Sequence, residues 1–193
     1  ILALALLSCT STQNRRDRAL QHFDLGNSLY ASGKYPYALR ELLSAQKLDP
    51  SNPRILNSIG LVYQARGRGD LAIKFLKEAL ELSPKYTEAR NNLVRVLIEN
   101  KRFSEAEDQL KIVKKDLTFG ALDVVYLNEG LLYFDQKKFE QALDPFAKSI
   151  QFSRGTCSPH QFYGRTLFEL KKYHEAAIAL DRAINFCQSS GND

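Results

Sequence analysis

A spacing of 34 residues recurs along this chain and limits its fold more than any other feature. Gly26, Gly60, Val94, Gly130 and Gly164 are separated by 34, 34, 36 and 34 residues. Ala38, Ala72, Ala106, Ala142 and Ala176 keep the same intervals. So do Leu29, Tyr63, Leu97, Tyr133 and Leu167; then Tyr35, Gly69, Phe103, Phe139 and Tyr173; then Leu42, Leu76, Leu110, Phe146 and Leu180. Five units follow, at 19–52, 53–86, 87–122, 123–156 and 157–190. The five columns occupy places 8, 20, 11, 17 and 24 of each unit. A unit of this length is one supersecondary element, which buries its apolar face only by stacking on its neighbours.

Each column has a physical cause. The small residue in place 8 and the alanine in place 20 let two helices approach closely. The aromatic in place 17 covers the turn between them, and Leu or Phe in place 24 fills the seam to the next unit. Pro50 and Pro84 stop a second helix, because proline donates no hydrogen bond to the ladder. In period and columns, residues 19–190 resemble the tetratricopeptide repeat. The resemblance implies an all-α, right-handed α-solenoid of five stacked helix-turn-helix units, with first helices lining a concave groove and second helices forming a convex back. Two departures stand out. The third unit carries two extra residues in its 116–120 linker, and Pro145 lies inside a second helix, where a kink or a delayed helix start is expected.

Composition removes other classes. Of 193 residues, 44% are hydrophobic and 25% charged, which fits a folded chain and not a disordered one. No apolar run approaches the roughly 20 residues that span a bilayer. The chain starts at Ile1 and has no methionine, so its front is read as trimmed, with residues 1–8 the remnant of a signal-peptide apolar core. Leu6-Leu7-Ser8-Cys9 resembles the bacterial lipobox, in which a small residue precedes a cysteine that is lipidated and becomes the mature N-terminus. Residues 9–18 are then a lipidated tether, and Cys9 is the lipidation site. In that class of signals, Thr10 in place of Asp implies the outer membrane, at its periplasmic face. An ordinary signal peptide or a buried N-terminal segment is the alternative. At the other end, either the fifth unit suffices as a cap or a sixth unit is missing.

No catalytic constellation emerges among His22, His160 and His174. Cys157 and His160 have a metal-like gap, but Cys187 supplies only a third ligand, so no metal is expected. Arg68-Gly69-Asp70 falls on a turn, where glycine and a helix-starting Asp are wanted anyway. No phosphate loop is present. The net charge of +5 is spread over mixed-sign helices, which reads as solvated surface and not as a nucleic-acid site. The chain is therefore expected to be no enzyme, to need no cofactor and to bind no small-molecule substrate.

Cys157 opens the first helix of the fifth unit and Cys187 closes the second. Antiparallel helices place the start of one near the end of the other, so in an exported protein a disulfide is the natural reading. Two independent thiols are the alternative.

Places 5, 9 and 12 of each first helix are expected to face the groove. They are Phe23, Asn27 and Tyr30; Asn57, Leu61 and Gln64; Asn91, Arg95 and Ile98; Leu127, Leu131 and Phe134; Gln161, Arg165 and Phe168. The asparagines suit an extended peptide backbone, and the Leu127–Phe134 step suits an apolar side chain or amphipathic helix. Place 5 lacks lysine, which disfavours capture of a free C-terminal carboxylate. Contact through the convex back stays open.

An export signal, this repeat array, the extended linker with Asp123-Val124-Val125-Tyr126-Leu127-Asn128-Glu129-Gly130, and the cysteine pair together resemble the type IV pilus biogenesis lipoproteins, the pilotins of the pilus secretin. The resemblance implies a lipid-anchored, non-catalytic protein that binds secretin subunits and promotes their outer-membrane assembly. A general periplasmic adaptor for cell-wall enzymes, or an accessory subunit of another secretion or envelope-assembly system, are the alternatives.

Overall fold

The computed structural model describes residues 2–153 and 156–190, with side chains left undescribed for 2–12, 186, 189 and 190. Ten helices, and no strand, occur among the described residues. They fall into two compact units, Ile1–Val96 and Leu97–Asp193. The first holds α1 (Leu2–Ala31), α2 (Tyr35–Leu48), α3 (Pro53–Ala65), α4 (Gly69–Leu82) and most of α5 (Thr87–Glu99). The second holds the end of α5, then α6 (Phe103–Val113), α7 (Leu122–Asp135), α8 (Phe139–Phe152), α9 (Ser158–Glu169) and α10 (Tyr173–Ser190).

In the first unit α1 packs on α2, α3 on α4, and α3 closes over the α1–α2 pair. In the second, α7 packs on α8 and α9 on α10, while α9 closes over α7 and α8. Place 24, expected to fill the seam to the next unit, also meets place 8 within each of these pairs. A Cβ added at Gly26 would sit 2.7 Å from Leu42 Cγ, and one at Gly60 2.8 Å from Leu76 Cγ. At Gly164 it would meet Leu180 Cδ2 at 2.7 Å, and at Gly130 it would run into the ring of Phe146. Leu42 and Leu76 are as fully buried as Phe146, but the clash at Gly130 is the tightest of the four, with three ring atoms within 2.9 Å of the added Cβ. Gly130→Ala should therefore lower the urea midpoint of the second unit by the equivalent of about 1–3 kcal/mol, the usual range for overpacking. Gly67→Ala meets nothing within 4 Å but sits at φ +68°, so only the left-handed backbone penalty applies, on the order of 1 kcal/mol.

The turns have a column of their own. Place 15 is Gly33, Gly67, Lys101, Lys137 and Lys171, and all five adopt a left-handed φ between 59° and 71°. Immediately after each, the N–H of place 16 donates to the carbonyl of place 11, as from Lys34 to Leu29 and from Lys172 to Leu167, at 2.9–3.0 Å. This closes the first helix by satisfying a carbonyl that its last turn leaves open. Aromatic place 17 then leans on place 12. The Tyr30–Tyr35 ring centroids are 5.8 Å apart, and the Phe134–Phe139 and Phe168–Tyr173 pairs are both 5.4 Å apart.

Pro50 and Pro84 each follow a helix end by two residues, after Leu48 and Leu82. The delayed start expected at Pro145 does not occur. Helix α8 begins at Phe139 and runs through the buried proline, because the pair contact through Phe146 holds the turn that the missing N–H leaves weaker. In the longer linker, Asp116 Oδ1 accepts from the Thr118 N–H at 3.0 Å and from its hydroxyl at 2.6 Å, a local turn that occupies the extra residues.

Charge pairs decorate both units. The Lys101 ammonium reaches Asp135 at 2.8 Å, and Lys114 reaches Glu129 at 2.7 Å. The most enclosed pair is His22–Glu41, in which Nδ1–H donates to Oε2 at 2.8 Å, with Arg40 on Oε1 at 3.0 Å. The His22 hydrogen bond, followed by Arg40, holds the Glu41 carboxyl below the ordinary 4.5, against burial that pushes it up. A carboxyl depressed in the folded state stabilises above its unfolded pKa and loses that contribution as pH falls through the folded one. Denaturation across pH should thus show wild type more stable than Glu41→Gln near neutral pH, with the gap closing as the pH falls through the depressed Glu41 pKa.

Candidate functional site

Helix α1 includes the segment read as export signal and tether, 1–8 and 9–18, from Leu2 onward. The side chain of Cys9, like Ile1, lies outside the described residues. Among the described residues no helix is long and apolar enough to cross a membrane, and no group of three or more His, Cys, Asp or Glu could hold a metal ion.

The fifteen groove residues do not share one fate. In the first unit, Asn27, Tyr30, Leu61, Gln64 and Arg95 are half-buried. Phe23 and Asn57 are buried, and so is Asn91. In the second unit, Leu127 and Phe134 are half-buried, Gln161, Arg165 and Phe168 are exposed, and Ile98 and Leu131 are buried.

Five expectations are corrected by this: Phe23, Asn57, Asn91, Ile98 and Leu131 have too little free surface to act as contacts. For two of them the cause is specific. Phe23 belongs to the core cluster of Ala38, Leu42, Ala45, Ile55, Ile59 and Val62, with the Arg54 guanidinium 5.1 Å from its ring centre. Asn57 does not await a peptide: its Oδ1 accepts from Asn92 Nδ2 at 2.9 Å, tying the second repeat to the third. A charge introduced at Leu131 would test packing before it tested binding.

What stays accessible in the second unit gathers around α9. Phe134, Phe139, Phe146 and Phe162 form an aromatic cluster, with Phe162 stacked on Phe146 at 5.7 Å and edge-on to Phe134 at 5.6 Å. The Arg165 guanidinium lies over it, 5.3 Å from the Phe134 ring centre and 5.1 Å from that of Phe162. Two rings therefore hold a cation at the surface, where its charge is available. Phe162, in place 6, was absent from the sequence-based set. Its signal was present, since an aromatic stands there where the other units have Asp24, Ser58, Asn92 and Asn128.

Cys157, just before α9, and Cys187 in α10 stand with Cα atoms 5.2 Å apart and their sulfurs joined. That separation lies within the range a disulfide spans. Gln161 Nε2 approaches the Cys187 sulfur at 3.8 Å. At the neighbouring His160, burial pushes the imidazole pKa down, favouring the neutral ring.

Helix hairpins built on a small-against-large column and closed by one repeated left-handed turn define a tetratricopeptide-repeat protein. The Tetratricopeptide repeat family matches residues 63–118 and the TPR repeat family residues 26–67. By sequence the chain is similar to the Type IV pilus assembly protein PilF of Pseudomonas aeruginosa, 26% identical over 202 residues that cover 100% of this chain and 79% of the relative. The solved structure of Pseudomonas aeruginosa PilF superposes with a TM-score of 0.78 at 25% identity, over 90% of this chain and 78% of that one. PilW, solved as a widely conserved type IV pilus biogenesis factor, shares the fold with a TM-score of 0.78 at 20% identity, over 91% and 78%. The chain is thus related to repeat proteins of type IV pilus biogenesis.

Proposed function

We propose that this chain is a lipid-anchored pilotin, which binds secretin subunits at the periplasmic face of the outer membrane and promotes their assembly for type IV pili. The observation that carries the reading is the similarity to PilF along the full length of the chain, combined with the lipobox-like Leu6-Leu7-Ser8-Cys9. Cys9 carries the acyl chains, each buried methylene contributing about 0.8 kcal/mol to membrane attachment. The Cys157–Cys187 bridge belongs to the same picture, because an oxidising periplasm retains such a bond. Binding needs no catalysis and no cofactor: the repeats supply a surface, and Gln161, Arg165 and Phe168 are its most accessible predicted part.

Deleting the gene and following secretin multimers on a gel that preserves them tests the proposal. Loss of multimers and pili is expected, with Cys9→Ala leaving the fold intact but releasing the protein from the outer membrane. Normal multimers with normal pili would reject the pilotin reading and favour a general envelope adaptor, whose co-purifying partners would be cell-wall enzymes.

A further inference from the structure

The excess of positive charge is not shared between the two units. Residues 1–96 hold 14 Lys and Arg against 8 Asp and Glu, while residues 97–193 hold 13 against 14. The densest basic run in the first unit is Arg15, Arg16 and Arg18, all exposed on α1. At about 3.6 residues per turn these three fall on one side of the helix and Asp17 falls on the other. Asp17 is taken up locally, its Oδ1 accepting from Gln13 Nε2 at 3.0 Å. None of the three arginines pairs with a carboxylate among the described residues.

Their side of α1 is its packed side. Further along, it carries Ala19 and Phe23, both buried, and Gly26, which faces Leu42 of α2. The stripe thus turns from apolar to basic toward the Cys9 end of the helix. A fourth arginine meets it there from the start of α3. Arg54 is exposed, with its guanidinium 5.1 Å from the Phe23 ring centre. Together with Arg16 it lines a recess of about 50 Å³ beside Phe23, room for a few waters or one phosphate group. Asp49, the acid on this recess, is engaged by Asn52 Nδ2 at 2.9 Å. Leu20 stands at the same recess, 52% exposed. Cys9 precedes Arg16 by seven residues in the one continuous helix, a rise of about 10 Å.

From this we infer that Arg15, Arg16, Arg18 and Arg54 bind the headgroup phosphates of anionic phospholipids, with one phosphate seated between Arg16 and Arg54 and Leu20 at the edge of the apolar layer. The planar guanidinium fork donates paired hydrogen bonds to phosphate oxygens and sheds its water more readily than an ammonium. The occupant follows from charge complementarity and from position. A chain held by an acylated Cys9 keeps these arginines about one Debye length from the membrane surface, where an anionic leaflet attracts them. They add to the acyl anchor and set which end of the first unit faces the lipid. This rests on the lipid-anchored part of the function proposed above and is independent of the secretin partner.

The test floats the unlipidated full chain, Cys9→Ala throughout, with vesicles of phosphatidylcholine alone or with one quarter phosphatidylglycerol. The neutral vesicles register whatever the apolar start of the chain contributes. Binding should be at least tenfold tighter to the anionic vesicles at low salt, and that margin should vanish at about 0.5 M salt. The triple variant Arg15→Gln, Arg16→Gln, Arg18→Gln should remove the margin, and Arg54→Gln alone should cut it severalfold. Circular dichroism melts should stay unchanged, because all four side chains are exposed. The double variant Arg66→Gln, Arg68→Gln removes more charge than Arg54→Gln, but at the α3–α4 turn, and should leave the margin within twofold. Equal binding to the two vesicles, or a loss in the Arg66, Arg68 variant as large as in Arg54→Gln, would overturn the inference. So would competition by millimolar glycerol phosphate, or tighter binding to a polyglutamate peptide than to the vesicles, because the occupant would then be a soluble anion or an acidic protein segment. Selectivity kept by protein that carries no acyl chain in cells would support the site and remove the anchor. Acylated outer-membrane protein without headgroup selectivity would do the reverse.

Discussion

Phe146→Ala is expected to destabilise the second unit by about 3–5 kcal/mol, the range for removing a fully buried aromatic side chain. The site cannot repack to fill the space. Gly130, which the ring faces, has no side chain to move into the space, and the ring fills the place a Cβ would take. Phe162 stacks on Phe146 at 5.7 Å and Phe134 meets it edge-on at 6.4 Å, so the variant loses aromatic contacts along with buried area. Denaturant unfolding should show the loss in residues 97–190, before the first unit responds. The conservative control is Phe146→Leu, which restores the residue found in place 24 of the other four units. It should recover most of the stability, with a remaining deficit of about 1 kcal/mol. A Phe146→Ala loss below that deficit would mean that the cluster is not the centre of this unit.

Reducing or deleting the Cys157–Cys187 bridge is the second large effect. The two cysteines are 30 residues apart in sequence, and in the chain-entropy account closing a loop of that size contributes roughly 3–4 kcal/mol. Both side chains are half-buried, so a small reductant has access without prior unfolding. The melting temperature of α9–α10 should fall on adding reductant and should match that of Cys187→Ser, with Cys157→Ser giving no further loss in the double variant. Mass analysis after alkylation without reduction should find neither thiol labelled. Two labelled thiols in protein from the periplasmic side, or a melt indifferent to reductant, would return the pair to independent cysteines. The bridge pins α10 against α9.

The repeat was readable because its columns are chemical necessities. Gly26, Gly60, Gly130 and Gly164 recur where a methyl group would strike Leu42, Leu76, Phe146 and Leu180, with Val94 in that place only in the third unit. The turn column was missed for an equally specific reason. Gly33 and Gly67 advertise a left-handed φ, but Lys101, Lys137 and Lys171 adopt it too, and lysine carries no such signal. At Pro145 the delayed start is what fails: α8 runs through it from Phe139, since a residue that weakens a helix on its own is tolerated where pair packing supplies the stability.

The groove was the least legible part. Of the residues at places 5, 9 and 12, Phe23 lies in a core cluster, Asn57 bonds to Asn92, and Phe134 joins an aromatic cluster with Phe139, Phe146 and Phe162. Direction along a helix follows from the 3.6-residue period and can be read from one repeat. Exposure depends on which atoms of a neighbouring repeat come to rest there. The sequence by itself therefore determined the all-α class and the small residue that lets the helices of a hairpin approach, because those recur at constant separation; that place 24 is what meets it was decided by the structure. Only the tertiary structure decided which groove residues remain accessible, and that Arg165 stands on two rings, because those follow from packing between repeats.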